Sequence, residues 1–75
     1  MDMDKEKIAV EFGNFIREAR ESKGLFQADI AAKLGVSRGY YSYIETGGRE
    51  IYFSLALKIC DVLNLNINDF AKRLK

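Results

Sequence analysis

The chain has 75 residues, 48 % apolar and 31 % charged, with a formal net charge of +1, one cysteine and no histidine. That length sets a single domain near the lower size limit for an independent core, and the Cys and His counts exclude a disulfide framework and argue against structural zinc. No apolar run approaches a membrane span and no leader pattern stands at the N-terminus, so a cytosolic chain with Cys60 reduced and no cofactor is expected.

Met1 to Lys7 is charged and short of apolar residues, and is expected to fray. From Ile8 the spacing of Phe12, Phe15, Ile16 and Ala19 marks one stripe of an amphipathic helix, with Glu11, Asn14, Glu18 and Glu21 on the wet side. The helix should end near Lys23, with Gly24 as its left-handed stop. Gln27 to Glu45 then holds two short helical patterns broken by Leu34-Gly35-Val36-Ser37. Ile30, Ala31 and Leu34 share one face of the first. Gly35 supplies a positive φ for a tight turn, and Ser37 can cap the next helix. In that helix Tyr41 and Ile44 face the same way, and small Ala31 lets the two helices cross closely. Helix, short glycine turn and steeply crossing helix make a helix-turn-helix unit, whose second helix enters a DNA major groove.

Thr46-Gly47-Gly48-Arg49 reads as a loop. A fourth helix is predicted from about Tyr52 to Leu63, with Leu55, Ile59 and Val62 toward the core and Phe53 and Leu57 on the opposite side. Asn66 resembles an N-cap with Asp69 as its capping-box partner. Ile67, Phe70, Ala71 and Leu74 give the fifth helix its apolar face, and Lys72, Arg73 and Lys75 sit at its negative end. The reading is an all-α, compact five-helix bundle over residues 1–75, one domain with no repeats or linkers.

Gly24-Leu25-Phe26-Gln27, Ile30-Ala31, Leu34-Gly35-Val36-Ser37, Tyr41-Ser42, Glu45 and Gly47 together resemble the Cro and phage-repressor type of helix-turn-helix domain, the XRE family, over about residues 12 to 70. The resemblance is specific because many positions match at once. It implies a lambda-repressor-like bundle that binds double-stranded DNA to regulate transcription. Two positions depart from it. The family usually places Ser, Thr or Asn just before Gln27, where this chain has Phe26, which cannot cap a helix; and it often has Pro near position 51, where this chain has Ile51 and no Pro anywhere.

A helical wheel at ~100° per residue turns Tyr41, Ile44 and Glu45 inward and Gly39, Ser42 and Tyr43 outward, with Arg38 at the exposed first turn. Arg38 opposes the helix macrodipole, and Gly39 costs roughly 0.8–1 kcal/mol of helix stability relative to Ala. A sequence chosen only for folding would avoid the pair. We therefore expect Arg38 to read a guanine edge or grip a phosphate, with Gly39 leaving room for the groove wall. Tyr43 could meet a base edge or a thymine methyl; otherwise it packs on Tyr40 or the loop. The resemblance assigns phosphate contacts to Ser42 and to Gln27, the latter also bracing the reading helix. Ser37 lies at the same edge, and Arg49, Lys33 and Lys23 are further phosphate candidates, as is Tyr40 on the flank.

Glu45 lies against the buried side, where an unpaired carboxylate is costly. Arg20 stands at the edge of the first helix's stripe, and the family has an ion pair at the matching positions, so an Arg20–Glu45 pair is expected. No nucleophile, histidine or metal cluster stands near Glu45 to suggest an enzyme, and Cys60 reads as core. A net charge of +1 leaves little surplus for phosphates, so affinity would need local basic residues and dimerisation. Expected partners are an operator with an inverted repeat and a second copy of the chain, joined through Phe53, Leu57, Ile67, Phe70 and Leu74. The rival is a protein-interaction module, such as an antitoxin-like domain, that would use the same second apolar face.

Overall fold

The computed structural model describes residues 4–48 and 51–75, and among these it forms five helices and no strands. Arg49, a candidate phosphate contact, lies outside the described residues, as do Met1 to Met3. The first helix, α1, runs Lys5–Ser22, three residues earlier than expected. Asp4 explains the difference: its carboxylate accepts the Glu6 N–H at 3.0 Å, an N-cap that holds Lys5 to Lys7 in the helix. At the other end Gly24 takes φ 69°, and its N–H returns to the Glu21 carbonyl at 3.0 Å.

The helices α2 (Gln27–Leu34) and α3 (Arg38–Glu45) follow. Gly35 joins them with φ 74° and ψ 29°, a left-handed geometry that a Cβ would strain. Behind it Val36 N–H closes on the Ala31 carbonyl at 3.1 Å. Phe26 has no side-chain oxygen to offer α2. Instead the Asp29 carboxylate accepts the Phe26 N–H at 2.8 Å, half of a capping box working from within the helix.

The fourth helix, α4, spans Phe53–Val62. Its core face is Ala56, Ile59 and Cys60, continued by Leu63, while Leu55 and Val62 are only half-buried. The expected face was therefore correct at Ile59 and rotated at its two flanks. Asn64 then takes a positive φ of 58°, which asparagine tolerates better than most residues, and Leu65 N–H bonds to the Cys60 carbonyl at 2.7 Å. Asn66 caps α5 (Ile67–Arg73) by accepting the Asn68 N–H at 2.9 Å. Asp69 does not complete that box; its carboxylate faces Lys72 at 3.8 Å.

The core is drawn from α1 to α4 and centres on Ile16, Ile30, Tyr41, Ile44, Ile59 and Leu63. Here α3 packs on both α1 and α2, α2 meets α4, and α5 lies along α1. Phe70 sets its ring edge-on to Phe12 at 5.1 Å and tilted against Phe15 at 5.7 Å. Arg73 fastens α5 further, donating to both Glu18 oxygens at 3.1 and 3.0 Å with its guanidinium 5.6 Å over the Phe15 ring. It bridges to α1 rather than simply capping the end of its own helix.

Gly13 sits where α1 meets the end of α3. A Cβ there would stand 2.7 Å from the carbonyl carbon of Glu45 and 2.8 Å from the Ile44 carbonyl oxygen, closer than atoms in a packed interior can come. The missing side chain sets how near the two helices approach. No helix among the described residues is long and apolar enough to cross a membrane.

Candidate nucleic-acid interface

The outward side of α3 is built from its start. Ser37, in extended backbone at φ −72° and ψ 154°, accepts the Tyr40 N–H on its Oγ at 3.0 Å, so the helix begins at Arg38 in one defined orientation. That orientation is locked from below, because Tyr41, Ile44 and Glu45 are each 3 % exposed or less. The same rotation leaves Arg38, Gly39 and Tyr43 exposed and Ser42 half-buried, while Tyr40 packs partly against the core. The Tyr43 ring rests on the loop: a Cβ at Gly48 would come within 2.6 Å of it. Its aromatic edge is thus placed by Gly48 while half of its surface remains open to solvent.

The base of the helix is held by a buried polar cluster. Arg20 Nε donates to Glu45 Oε2 at 2.7 Å and Nη2 to Oε1 at 3.0 Å, the paired geometry that suits a guanidinium and a carboxylate. Arg20 Nη1 donates to the Leu25 carbonyl at 2.8 Å, so one side chain ties the α1–α2 connection to the end of α3. Gln27 Nε2 donates to Glu45 Oε1 at 2.9 Å, which pins the first residue of α2 to the last residue of α3. The predicted ion pair is present. Neither the Gln27–Glu45 bond nor Gly13 was legible in the sequence; a small residue inside an apolar stripe is the only signal that could have flagged the latter.

Burial is the strongest influence on Glu45 and opposes its ionisation, but hydrogen bonding from Arg20, the nearby Tyr41 hydroxyl, Gln27 and the Arg20 charge outweigh it, so the carboxyl is held below its ordinary value. Bonding to Glu45 raises Arg20 further above its already high value. The Tyr41 hydroxyl is sealed from water without a hydrogen bond of good geometry, and burial followed by Glu45 pushes its pKa up. A depressed Glu45 contributes stability that is present above its unfolded value near 4.5 and lost as pH falls through the folded pKa. A raised Tyr41 contributes stability present below its unfolded value of 10.0 and lost as pH climbs toward the folded pKa. Unfolding followed by circular dichroism should therefore give a plateau at intermediate pH and a decline on both sides. Tyr41→Phe should flatten the alkaline decline and also soften the acid one, since it removes one of the groups that hold Glu45 down.

Of the other candidates, Lys33 is exposed in the last turn of α2 and Lys23 at the end of α1. Cys60 is buried, with its thiol pKa raised by desolvation, as a core side chain should be. Phe53 and Leu57 stand exposed on the outer side of α4, and Ile67 and Leu74 are half-buried. Phe70 is half-buried as well, with its ring against Phe12 and Phe15. Between the starts of α1, α4 and α5 lies an apolar groove of about 310 Å³, walled by Ile8, Phe12, Ile51, Phe53 and Ile67 with Lys5 at its rim.

This bundle, with its glycine turn, its buried Arg–Glu brace and an outward-facing third helix, is a helix-turn-helix domain of the Cro and phage-repressor type. The chain belongs to the helix-turn-helix family, whose model matches residues 16–70. It is also 30 % identical over 61 residues to an uncharacterized HTH-type transcriptional regulator, YqaE, of Bacillus subtilis (strain 168). The match covers 81 % of this chain and 53 % of that protein, so the chain spans about half the length of its relative.

Proposed function

We propose that this chain is a sequence-specific double-stranded DNA-binding transcriptional regulator, a repressor or operon controller, acting as a homodimer with α3 in the major groove of each half-site. The observation that carries the reading is the division of α3. Tyr41, Ile44 and Glu45 are locked inward while Arg38, Gly39 and Tyr43 face out, although that arrangement serves folding poorly. At ~1.5 Å per residue, the eight residues of α3 span about the ~12 Å width of a major groove. Ser42 within this helix, and Gln27, Ser37 and Lys33 outside it, serve as backbone contacts, in keeping with the attraction of helix N-termini for phosphate.

Dimerisation is supported by the outer face of α4. Phe53 is 70 % exposed and Leu57 40 %, and the apolar groove opens directly beside Phe53. A protruding ring next to a groove is the self-complementary patch that a two-fold interface needs. Two half-sites would then lie ~34–36 Å apart or a multiple of that. The same face could seat a different protein, the rival reading. Selection of bound duplexes from random DNA separates the two: a dimeric regulator enriches an inverted repeat bound by two chains, whereas a partner-binding module enriches nothing.

Arg38→Ala should keep the fold, because the side chain is exposed. It should weaken binding to the selected duplex by about 1–3 kcal/mol if Arg38 reads a base. Fluorescence anisotropy on the selected and base-swapped duplexes checks this. A loss that is equal on both would assign Arg38 to a phosphate instead.

A further inference from the structure

We infer that Phe26 is a DNA contact, its ring packing against the deoxyribose next to the phosphate that Gln27 holds; this rests on the DNA-binding reading above. Phe26 is 75 % exposed and serves the fold badly in two ways. Its ring lies in water, and α2 starts without a side-chain oxygen, although the backbone at φ −93° and ψ 157° is that of an ordinary cap which serine or asparagine would fill. Nothing among the described residues covers the ring closely enough to bury it.

The ring is nevertheless presented from a fixed backbone. Leu25 N–H donates to the Arg20 carbonyl at 3.1 Å, and Arg20 Nη1 donates back to the Leu25 carbonyl at 2.8 Å. The Phe26 N–H is held by Asp29 at 2.8 Å, and the next residue, Gln27, is bonded to Glu45 at 2.9 Å. An aromatic side chain on a backbone so constrained loses little freedom when it makes a contact. The Gln27–Glu45 bond also fixes where that backbone sits: at the edge where the start of α2 is tied to the last residue of α3. A strand running along that edge alternates phosphates with sugars. Gln27 can donate to the phosphate, whereas a benzyl group has no polar atom to offer and matches the C–H surface of the adjoining deoxyribose. Such a contact adds affinity without sequence preference and releases no counterion.

The test compares the full chain with Phe26→Ser and Phe26→Leu, measuring thermal unfolding and affinity for the selected duplex and a scrambled one over a range of salt. Phe26→Ser should raise the midpoint of unfolding by about 4–8 °C, because serine caps α2. It should at the same time weaken both duplexes by about tenfold, with the slope of affinity against salt unchanged. Phe26→Leu should recover part of the loss. A serine variant that binds both duplexes as tightly as the parent overturns the inference while leaving the DNA-binding reading intact. So does a loss of affinity that comes with a lower unfolding midpoint or a flatter salt slope, since either marks a disturbed structure rather than a lost apolar contact. A parent chain that binds no duplex overturns both.

Discussion

Arg20→Ala is expected to remove about 3–5 kcal/mol of stability, because it strands a buried carboxylate without its cation. The Glu45 side chain is only 2 % exposed and, among the described residues, would keep Gln27 as its side-chain donor of standard geometry. A domain of 75 residues has roughly 4–11 kcal/mol in total at ~0.05–0.15 kcal/mol per residue, so the loss takes a quarter or more of it and, at the low end of that range, unfolds the domain. The loss should also exceed the net worth of the pair. Replacing both partners together, as in Arg20→Met with Glu45→Leu, avoids the unpaired charge and should restore much of the stability. Urea unfolding of the two single variants and the double variant measures this directly. A single-variant loss below about 1 kcal/mol would mean that the pair behaves like a solvated surface bridge.

The second large effect separates two glycines that look alike in the sequence. Gly13→Ala places a Cβ against the backbone carbonyls of Ile44 and Glu45, atoms that cannot turn aside as a side chain would, so α1 and α3 must move apart. Overpacking of this kind costs up to about 3 kcal/mol, against which the better helix propensity of alanine returns ~1. A net destabilisation of about 2 kcal/mol is expected, and it should disturb the Arg20–Glu45 geometry at the same crossing. Gly39→Ala is the control. It also lies inside a helix, but nothing stands within 4 Å of its added Cβ, so the same substitution should stabilise the domain by about 0.5–1 kcal/mol. Thermal melts of the two variants should move in opposite directions. If Gly39→Ala also weakens DNA binding, the bare stretch of α3 is being used to approach the groove wall.

Most of the architecture was legible because the physics that sets it is local. The stripe from Ile8 to Ala19, the glycine stops at Gly24 and Gly35, and the Ser37 and Asn66 caps each act over three or four residues, the range a reader of sequence can see. The errors were also local in origin. The Asp4 cap starts α1 three residues before the apolar stripe does, and Asn64 supplies a left-handed stop that usually falls to glycine. The reading face of α3 was visible by period alone, since burying Tyr41 and Ile44 leaves few directions for the rest.

What the sequence by itself determined is therefore five helices, the turn at Gly35, which side of α3 points inward and, with the help of a family resemblance, the pairing of Arg20 with Glu45. Tertiary structure decided the remainder. It assigned Phe70 to the aromatic contact with α1, sent Arg73 across to Glu18, joined Gln27 to Glu45, and made Gly13 indispensable while leaving Gly39 open. The division has one physical reason. Helix periodicity and capping depend on neighbours along the chain, whereas the distance between two helix backbones, and which polar groups are sealed between them, depends on residues that meet only after the chain has folded.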